Sequence, residues 1–136
     1  MTLQALEHFL VLTDNLDATR NFYRDALGLS EGFRPDLGFP GYWLYLGSTA
    51  CIHIAEWGSY TAHSTLLDIP VSSQAAGTGS VDHLAFQATD YDAFVANLQT
   101  LGVDAHRHDT PAIGLRQVFV FDPNGIKLEI NFLQRR

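Results

Sequence analysis

An internal repeat is the feature that most limits how this chain can fold. Residues 6–14 (LEHFLVLTD) and 81–90 (VDHLAFQATD) share one order of residue types: an apolar residue, an acid, a histidine, an apolar run and a closing Thr-Asp. Self-similarity at a long, fixed offset indicates two copies of one supersecondary unit. His8 and His83 are 75 residues apart, and later positions keep nearly the same offset. We therefore expect a fold made of two similar halves.

Each half is predicted to contain a strand, a helix and three further strands. The helical segment shows apolar residues at spacings of three and four and ends at Gly28 in the first half and Gly102 in the second. A hairpin follows in each half, and Asp-Pro-Asn-Gly at 122–125 is a typical hairpin turn. The less sharply marked second strands are expected at 30–34 and 103–109.

The two halves are predicted as βαβββ modules at residues 4–57 and 80–133. The intervening residues 58–79 end in a Ser-, Ala- and Gly-rich stretch and are expected to be a linker. One small module cannot bury its sheet face alone, so the modules should pair, within one chain or between two. The predicted class is α+β: paired βαβββ modules forming an eight-stranded mixed sheet, curved into an incomplete barrel with helices outside. Residues 1–136 would then form a single domain.

Charge and composition exclude several function classes. Eight Lys and Arg against fifteen Asp and Glu give a net charge of −7, which argues against a nucleic-acid or anionic-membrane partner. Cys51 is the only cysteine, so no internal disulfide can form. Acidic residues among the first twenty positions and the lack of a long apolar run predict neither a signal peptide nor a membrane span. A cytoplasmic protein is expected.

Four side chains stand out because they are polar within otherwise apolar strands. The period-two alternation of a strand separates Ile126, Leu128 and their apolar neighbours from Glu129 on the opposite face. His8, His53, His83 and Glu129 occupy the first and last strands of the two modules at equivalent places. Imidazoles with a carboxylate are ligands for Fe(II), Mn(II), Co(II), Ni(II) or Zn(II), and a buried carboxylate needs a cation. The simpler alternative is that the histidines are hydrogen-bonded core residues.

These motifs resemble the vicinal oxygen chelate superfamily, which includes glyoxalase I, methylmalonyl-CoA epimerase, fosfomycin- and bleomycin-resistance proteins and extradiol dioxygenases. The likeness covers nearly the whole chain. It is carried by residues 6–9, Asp14, 22–23, 27–29, 81–86 and 121–130.

The resemblance implies paired modules around a divalent metal, a small-molecule substrate and a homodimer. By position, His8, His83 and Glu129 match the common metal ligands, and Glu129 and His53 match positions with catalytic roles. His53 stands where glyoxalase I-like members place Glu and the epimerase places Gln. Its role, as a fourth ligand or as an acid/base group, stays open.

Three functions follow as hypotheses. The first is a metal-dependent lyase or isomerase of glyoxalase-like type, with His53 as fourth ligand, that chelates vicinal oxygens and stabilises an enolate or oxyanion. The second is an extradiol-type dioxygenase with a 2-His-1-carboxylate Fe(II) site and His53 free. The third is a metal-free, resistance-type protein that binds a small molecule.

Aromatic and basic residues offer candidate substrate contacts. Arg34, Arg107, Arg116 and Gln117 are candidates for meeting an anionic group. The aromatic residues that can receive a ring are Phe33, Phe39, Tyr42, Trp43, Trp57 and Tyr60.

Overall fold

The computed structural model describes residues 2–73 and 75–134. The chain divides into two compact units, with the boundary between residues 75 and 76. Each unit contains one four-stranded mixed sheet. The predicted α+β class and the duplicated βαβββ module are therefore confirmed.

The first module contains four strands, β1 to β4, and one helix, α1, followed by a second helix, α2. Its strands lie in the order β1-β4-β3-β2; β1 runs parallel to β4 and the other neighbours are antiparallel. The elements are β1 (Phe9–Thr13), α1 (Leu16–Asp25), β2 (Ser30–Gly32), β3 (Gly41–Leu46), β4 (Thr49–Glu56) and α2 (Trp57–Leu66).

The second module repeats this topology in the order β5-β8-β7-β6, with β5 parallel to β8. Its elements are β5 (Leu84–Ala88), α3 (Tyr91–Leu101), β6 (His106–Thr110), a 3-10 turn (Pro111–Ile113), β7 (Leu115–Phe121) and β8 (Lys127–Leu133). The second strand of each module differs slightly from its prediction, since β2 ends at Gly32 and β6 begins at His106.

Local signals explain where the helices start and stop. The Asn15 side chain accepts a hydrogen bond from the Ala18 N–H at 3.0 Å and so caps α1. Asp90 stands at the corresponding place before α3 but has a left-handed φ of 64° and makes no side-chain capping bond. Gly102, with φ 68°, ends α3 in the conformation that glycine adopts most easily.

Strand alternation places the apolar core as predicted. Ile126, Leu128, Ile130 and Phe132 are buried, whereas Lys127, Glu129 and Asn131 on the alternate positions are only half-buried. In β4 of the first module, Ile52 and Ile54 are buried in the same way. The polar residues of β8 therefore share the face away from the core.

The start of the predicted linker is helical. Helix α2 begins at Trp57 and ends at Leu66, so an ordered helix occupies residues expected to be linker. Ser59 donates to the Glu56 carboxylate at 3.0 Å, which ties the first turn of α2 to the end of β4. None of the helices in the described part of the chain is long and apolar enough to span a membrane.

Candidate metal and substrate site

The first candidate ligand, His8, lies immediately before β1 and is held by its neighbour. Its Nδ1 is 2.8 Å from Oε1 of Glu7, and its side chain is about one-third exposed. A carboxylate on Nδ1 fixes the ring orientation and the tautomer, which leaves Nε2 as the ring nitrogen with a free lone pair.

The second module repeats this arrangement at His83. His83 Nδ1 is 2.8 Å from Oδ2 of Asp82, and Lys127 Nζ lies 2.8 Å from the same oxygen. The bond from Lys127, and next the bond from His83, lower the pKa of Asp82 below its usual value, so this carboxylate stays ionised.

Both carboxylate–histidine pairs fit a divalent metal. A metal-bound histidine in proteins almost always donates its second N–H to a carboxylate, a carbonyl or water. Glu7 and Asp82 supply that partner to His8 and His83, and Nε2 of each ring remains available for coordination. The acid before each histidine is visible in the repeated motif, although sequence reasoning assigned it no role.

The Glu129 side chain is 15% exposed, less than that of His8 or His83. Its Oε1 lies 3.6 Å from Nε2 of His83, and its Oε2 accepts a hydrogen bond from the Asn131 amide at 2.9 Å. Asn131 in turn accepts from Gln117 at 3.1 Å. This chain of amides fixes one carboxylate oxygen and leaves the other directed at the histidine.

His53 is packed between two flat rings. Its ring centroid is 3.7 Å from that of His8 and 4.1 Å from that of Trp43, with interplanar angles of 12° and 11°. Burial, and next the proximity of His8, lower the pKa of His53, so the imidazole is neutral at pH 7.

This stack bears on whether His53 is a ligand. An imidazole lone pair lies in the plane of its ring, and a metal–nitrogen bond is about 2.1 Å long. Two nearly parallel planes a stacking distance apart do not meet within that length. In the arrangement seen, His8 and His53 therefore do not both point at one ion, and coordination by both requires one ring to turn.

The structure joins the four candidates as two pairs: His8 with His53, and His83 with Glu129. Within residues 2–73 and 75–134, no group of three or more His, Cys, Asp and Glu side chains is placed to hold a metal ion. Coordination of one ion by all four residues stays a prediction.

A pocket of about 150 Å³ opens beside the first pair. The side chains that line it with polar or aromatic groups are His8, Arg34, Phe39, Trp43, His53 and Tyr60. Phe39 packs edge-on against Tyr60, with ring centroids 5.3 Å apart. Three of the six aromatic residues proposed as ring contacts therefore line this pocket.

The other candidate contacts have different surroundings. Phe33 is 76% exposed, and the Tyr42 hydroxyl donates to Asp17 at 2.7 Å. Arg116 lies 3.3 Å from Asp109 and 3.6 Å from the centre of the Tyr91 ring. Sequence reasoning also missed the position of His63, which belongs to α2 and packs against Phe39.

Comparison with known proteins agrees with this topology. The sequence signature of the Glyoxalase/Bleomycin resistance protein/Dioxygenase superfamily matches residues 5–130. The chain belongs to this superfamily. The resemblance inferred from the repeated motifs is thereby confirmed.

Individual relatives carry both enzyme and resistance-protein names. Glyoxylase I 4 of Arabidopsis thaliana is 30% identical over 135 residues, covering 94% of this chain and 70% of that protein. The structure of lactoylglutathione lyase from Agrobacterium tumefaciens has a TM-score of 0.69 at 20% identity and covers 97% of this chain and 96% of its own. The fosfomycin resistance protein FosX of Listeria monocytogenes has a TM-score of 0.70 at 17% identity, covering 98% and 96%. The two structural likenesses show the fold.

Proposed function

We propose that this chain is a divalent-metal-dependent enzyme of the glyoxalase-like lyase or isomerase type, with a small-molecule substrate. The observation that carries the proposal is the repeated carboxylate–histidine pair, with Nδ1 to carboxylate distances of 2.8 Å in both modules. His8, His83 and Glu129 are the proposed ligands, and the ion is Fe, Mn, Co, Ni or Zn.

In this function His53 is an acid/base group rather than a fourth ligand. The His53 ring borders the pocket and stacks on Trp43. It is also nearly parallel to the His8 ring, so the two rings do not point at one ion. When bound, the metal would polarise the substrate oxygens and stabilise the negative charge that develops on them. A ring nitrogen of His53 would take up and return the substrate proton, and the aromatic lining would keep water away from it.

A second candidate, an extradiol-type ring-cleaving dioxygenase, is favoured by the same stack. Two histidines and one carboxylate leave about three octahedral positions for a bidentate substrate and O₂. Phe39, Trp43 and Tyr60 are suited to hold an aromatic ring beside them.

Metal binding is tested by loading the purified full-length chain with each candidate ion and measuring metal per chain after removal of free ion. We expect about one ion per chain, because each chain supplies one proposed set of ligands. H83A and E129Q should lose it, and H106A, which changes an exposed histidine of β6, should retain it. Equal metal content in wild type and H83A would exclude the proposed ligand set. A chain that binds no metal but still binds small molecules would support a resistance-type binding protein instead.

The two reaction classes are separated by what they consume. A lyase or isomerase should exchange a substrate hydrogen with solvent deuterium without using oxygen, and H53Q should slow this exchange by about 10²–10⁴-fold. A dioxygenase should consume O₂ when a catechol is added to anaerobically loaded Fe(II) protein. Oxygen uptake without deuterium exchange would overturn the lyase or isomerase assignment.

We further propose that the chain works in the cytoplasm as a homodimer. The lone Cys51, which can form no internal disulfide, supports the cytoplasm. Membership of a superfamily whose proteins often form dimers supports the homodimer. Sedimentation equilibrium tests the assembly, and a mass of 15.1 kDa at all concentrations would contradict it.

A further inference from the structure

Arg34 is a cation that lines the pocket. Within the part of the chain that the structure describes, no Asp or Glu oxygen lies in ion-pair distance of its guanidinium. By contrast, Arg20, Arg24 and Arg116 each lie 2.8–3.3 Å from a carboxylate. The Arg34 guanidinium instead lies over the Phe39 ring, 4.9 Å from its centre.

The Arg34 side chain is partly withdrawn from water. Burial is the largest influence on the guanidinium and lowers the pKa of Arg34, and the acidic residue that partly offsets it is Asp36. The Asp36 carboxylate is already engaged by the Gly38 N–H at 3.0 Å. A partly buried guanidinium of this kind is suited to a planar anion that it can bind with two parallel hydrogen bonds.

A difference between the modules creates the space for this side chain. Position 41 in β3 corresponds to position 117 in β7: Gly41 pairs with Ala55, and Gln117 pairs with Asn131. In the second module these positions carry the amides that hold Glu129. In the first module they are small, and a Cβ at Gly41 would lie only 3.1 Å from Nη2 of Arg34. Where the second module has a network of amides that holds a carboxylate, the first module therefore has an open pocket with a cation.

We propose that Arg34 binds the carboxylate of a small aromatic acid whose ring lies against Phe39, Trp43 and Tyr60. The pocket volume of about 150 Å³ fits one benzene-sized ring, since an apolar cavity of about that size accommodates benzene. The inference deepens the proposed function by naming its substrate class, and its link to catalysis rests on that function. The binding step itself depends only on residues of the first module.

The test compares two probes of equal shape and different charge, 4-fluorobenzoate and 4-fluorobenzamide, on the full-length chain. Binding is followed by ¹⁹F NMR of the probe and by the indole N–H signal of Trp43, assigned with a W57F variant. Chelator-treated protein is used so that the carboxylate cannot bind through a metal. We expect the benzoate to bind about 10- to 100-fold more tightly than the amide, and the preference to shrink as salt is raised.

Substitutions at Arg34 test whether this residue causes the preference for the benzoate. R34M should remove it, and R34K, which keeps the charge but not the planar fork, should retain a reduced preference. The matched control R24M changes an exposed arginine of α1 and should leave it intact. Equal affinity of wild type for both probes, or an unchanged preference in folded R34M or R34K, would overturn the assignment.

Failure of this inference is distinguishable from failure of the proposed function. A chain that binds no metal yet prefers the benzoate through Arg34 refutes the proposed enzyme and supports the anion subsite. A chain that binds metal through His83 and shows no preference supports the enzyme and refutes the subsite.

Discussion

The amide chain behind Glu129 gives a quantitative prediction. Asn131→Leu removes the donor 2.9 Å from Glu129 Oε2 and also the acceptor of the Gln117 amide. Glu129 is only 15% exposed, so water replaces the lost donor poorly. Leaving a buried polar group unsatisfied costs about 1–3 kcal/mol, and because Asn131 and Gln117 are half-buried we expect about 1–2 kcal/mol in metal-free protein.

The same substitution should weaken metal binding. Loss of a group that orients a metal ligand lowers affinity about 10- to 100-fold. Free energies of unfolding from urea titrations with chelator, and calorimetric titration with Mn(II), Co(II) and Zn(II), measure the two effects separately. Gln99→Leu on the exposed side of α3 is the control and should change stability by less than about 0.5 kcal/mol.

A double-mutant cycle sharpens the prediction. Gln117→Leu alone leaves Asn131 bonded to Glu129 and should cost less than Asn131→Leu. The double variant should cost less than the sum of the single variants, because both members of one bond are removed together. Additive costs, or an Asn131→Leu protein with unchanged stability and unchanged metal affinity, would refute the reasoning.

Three further predictions concern packing and stability. In thermal melts, Gly41→Ala should lower the free energy of unfolding by more than about 2 kcal/mol, because its Cβ would lie 2.2 Å from the Ile54 carbonyl oxygen. Gly58→Ala is the control: the nearest atom to its Cβ is 3.6 Å away, so its free energy of unfolding should be nearly unchanged in the same melts. Thr13→Val should lower the free energy of unfolding by about 1–3 kcal/mol in urea titrations, because the Thr13 hydroxyl donates to the Asn15 carbonyl oxygen and accepts from the Asn15 N–H and the Thr19 hydroxyl. An unchanged free energy of unfolding would contradict the bonding described. A bound metal at 100 times its Kd should add about 2.7 kcal/mol of stability, seen as a chelator-reversible rise in melting temperature that H83A lacks.

Much of the fold followed from the repeat and from strand alternation. The alternation in residues 126–132 separated the buried Ile and Leu residues from Glu129 because one face of β8 is covered and the other is not. Helix α2 was missed because its sequence, WGSYTAHSTL, lacks a clear apolar stripe. Its order comes from contacts that sequence does not show, such as Tyr60 and His63 against Phe39.

The candidate site was predictable in part. The repeat singled out His8 and His83, and the change of residue type at the equivalent positions singled out His53 and Glu129. The acids beside the histidines are visible in the motif, but the sequence does not show that they contact the imidazoles. The stacking of His53 depends on side-chain rotation, and the pocket cation depends on the missing side chain of Gly41; neither is set by strand periodicity.

The number of imidazole ligands at the ion distinguishes an acid/base role for His53 from coordination of the metal. X-ray absorption spectroscopy on protein loaded with one equivalent of Co(II) or Zn(II) measures the number of imidazole ligands. The proposal predicts two imidazoles and oxygen donors, with the spectrum of H53A matching that of wild type. Three imidazoles in wild type, with one lost in H53A, would contradict it and make His53 a ligand.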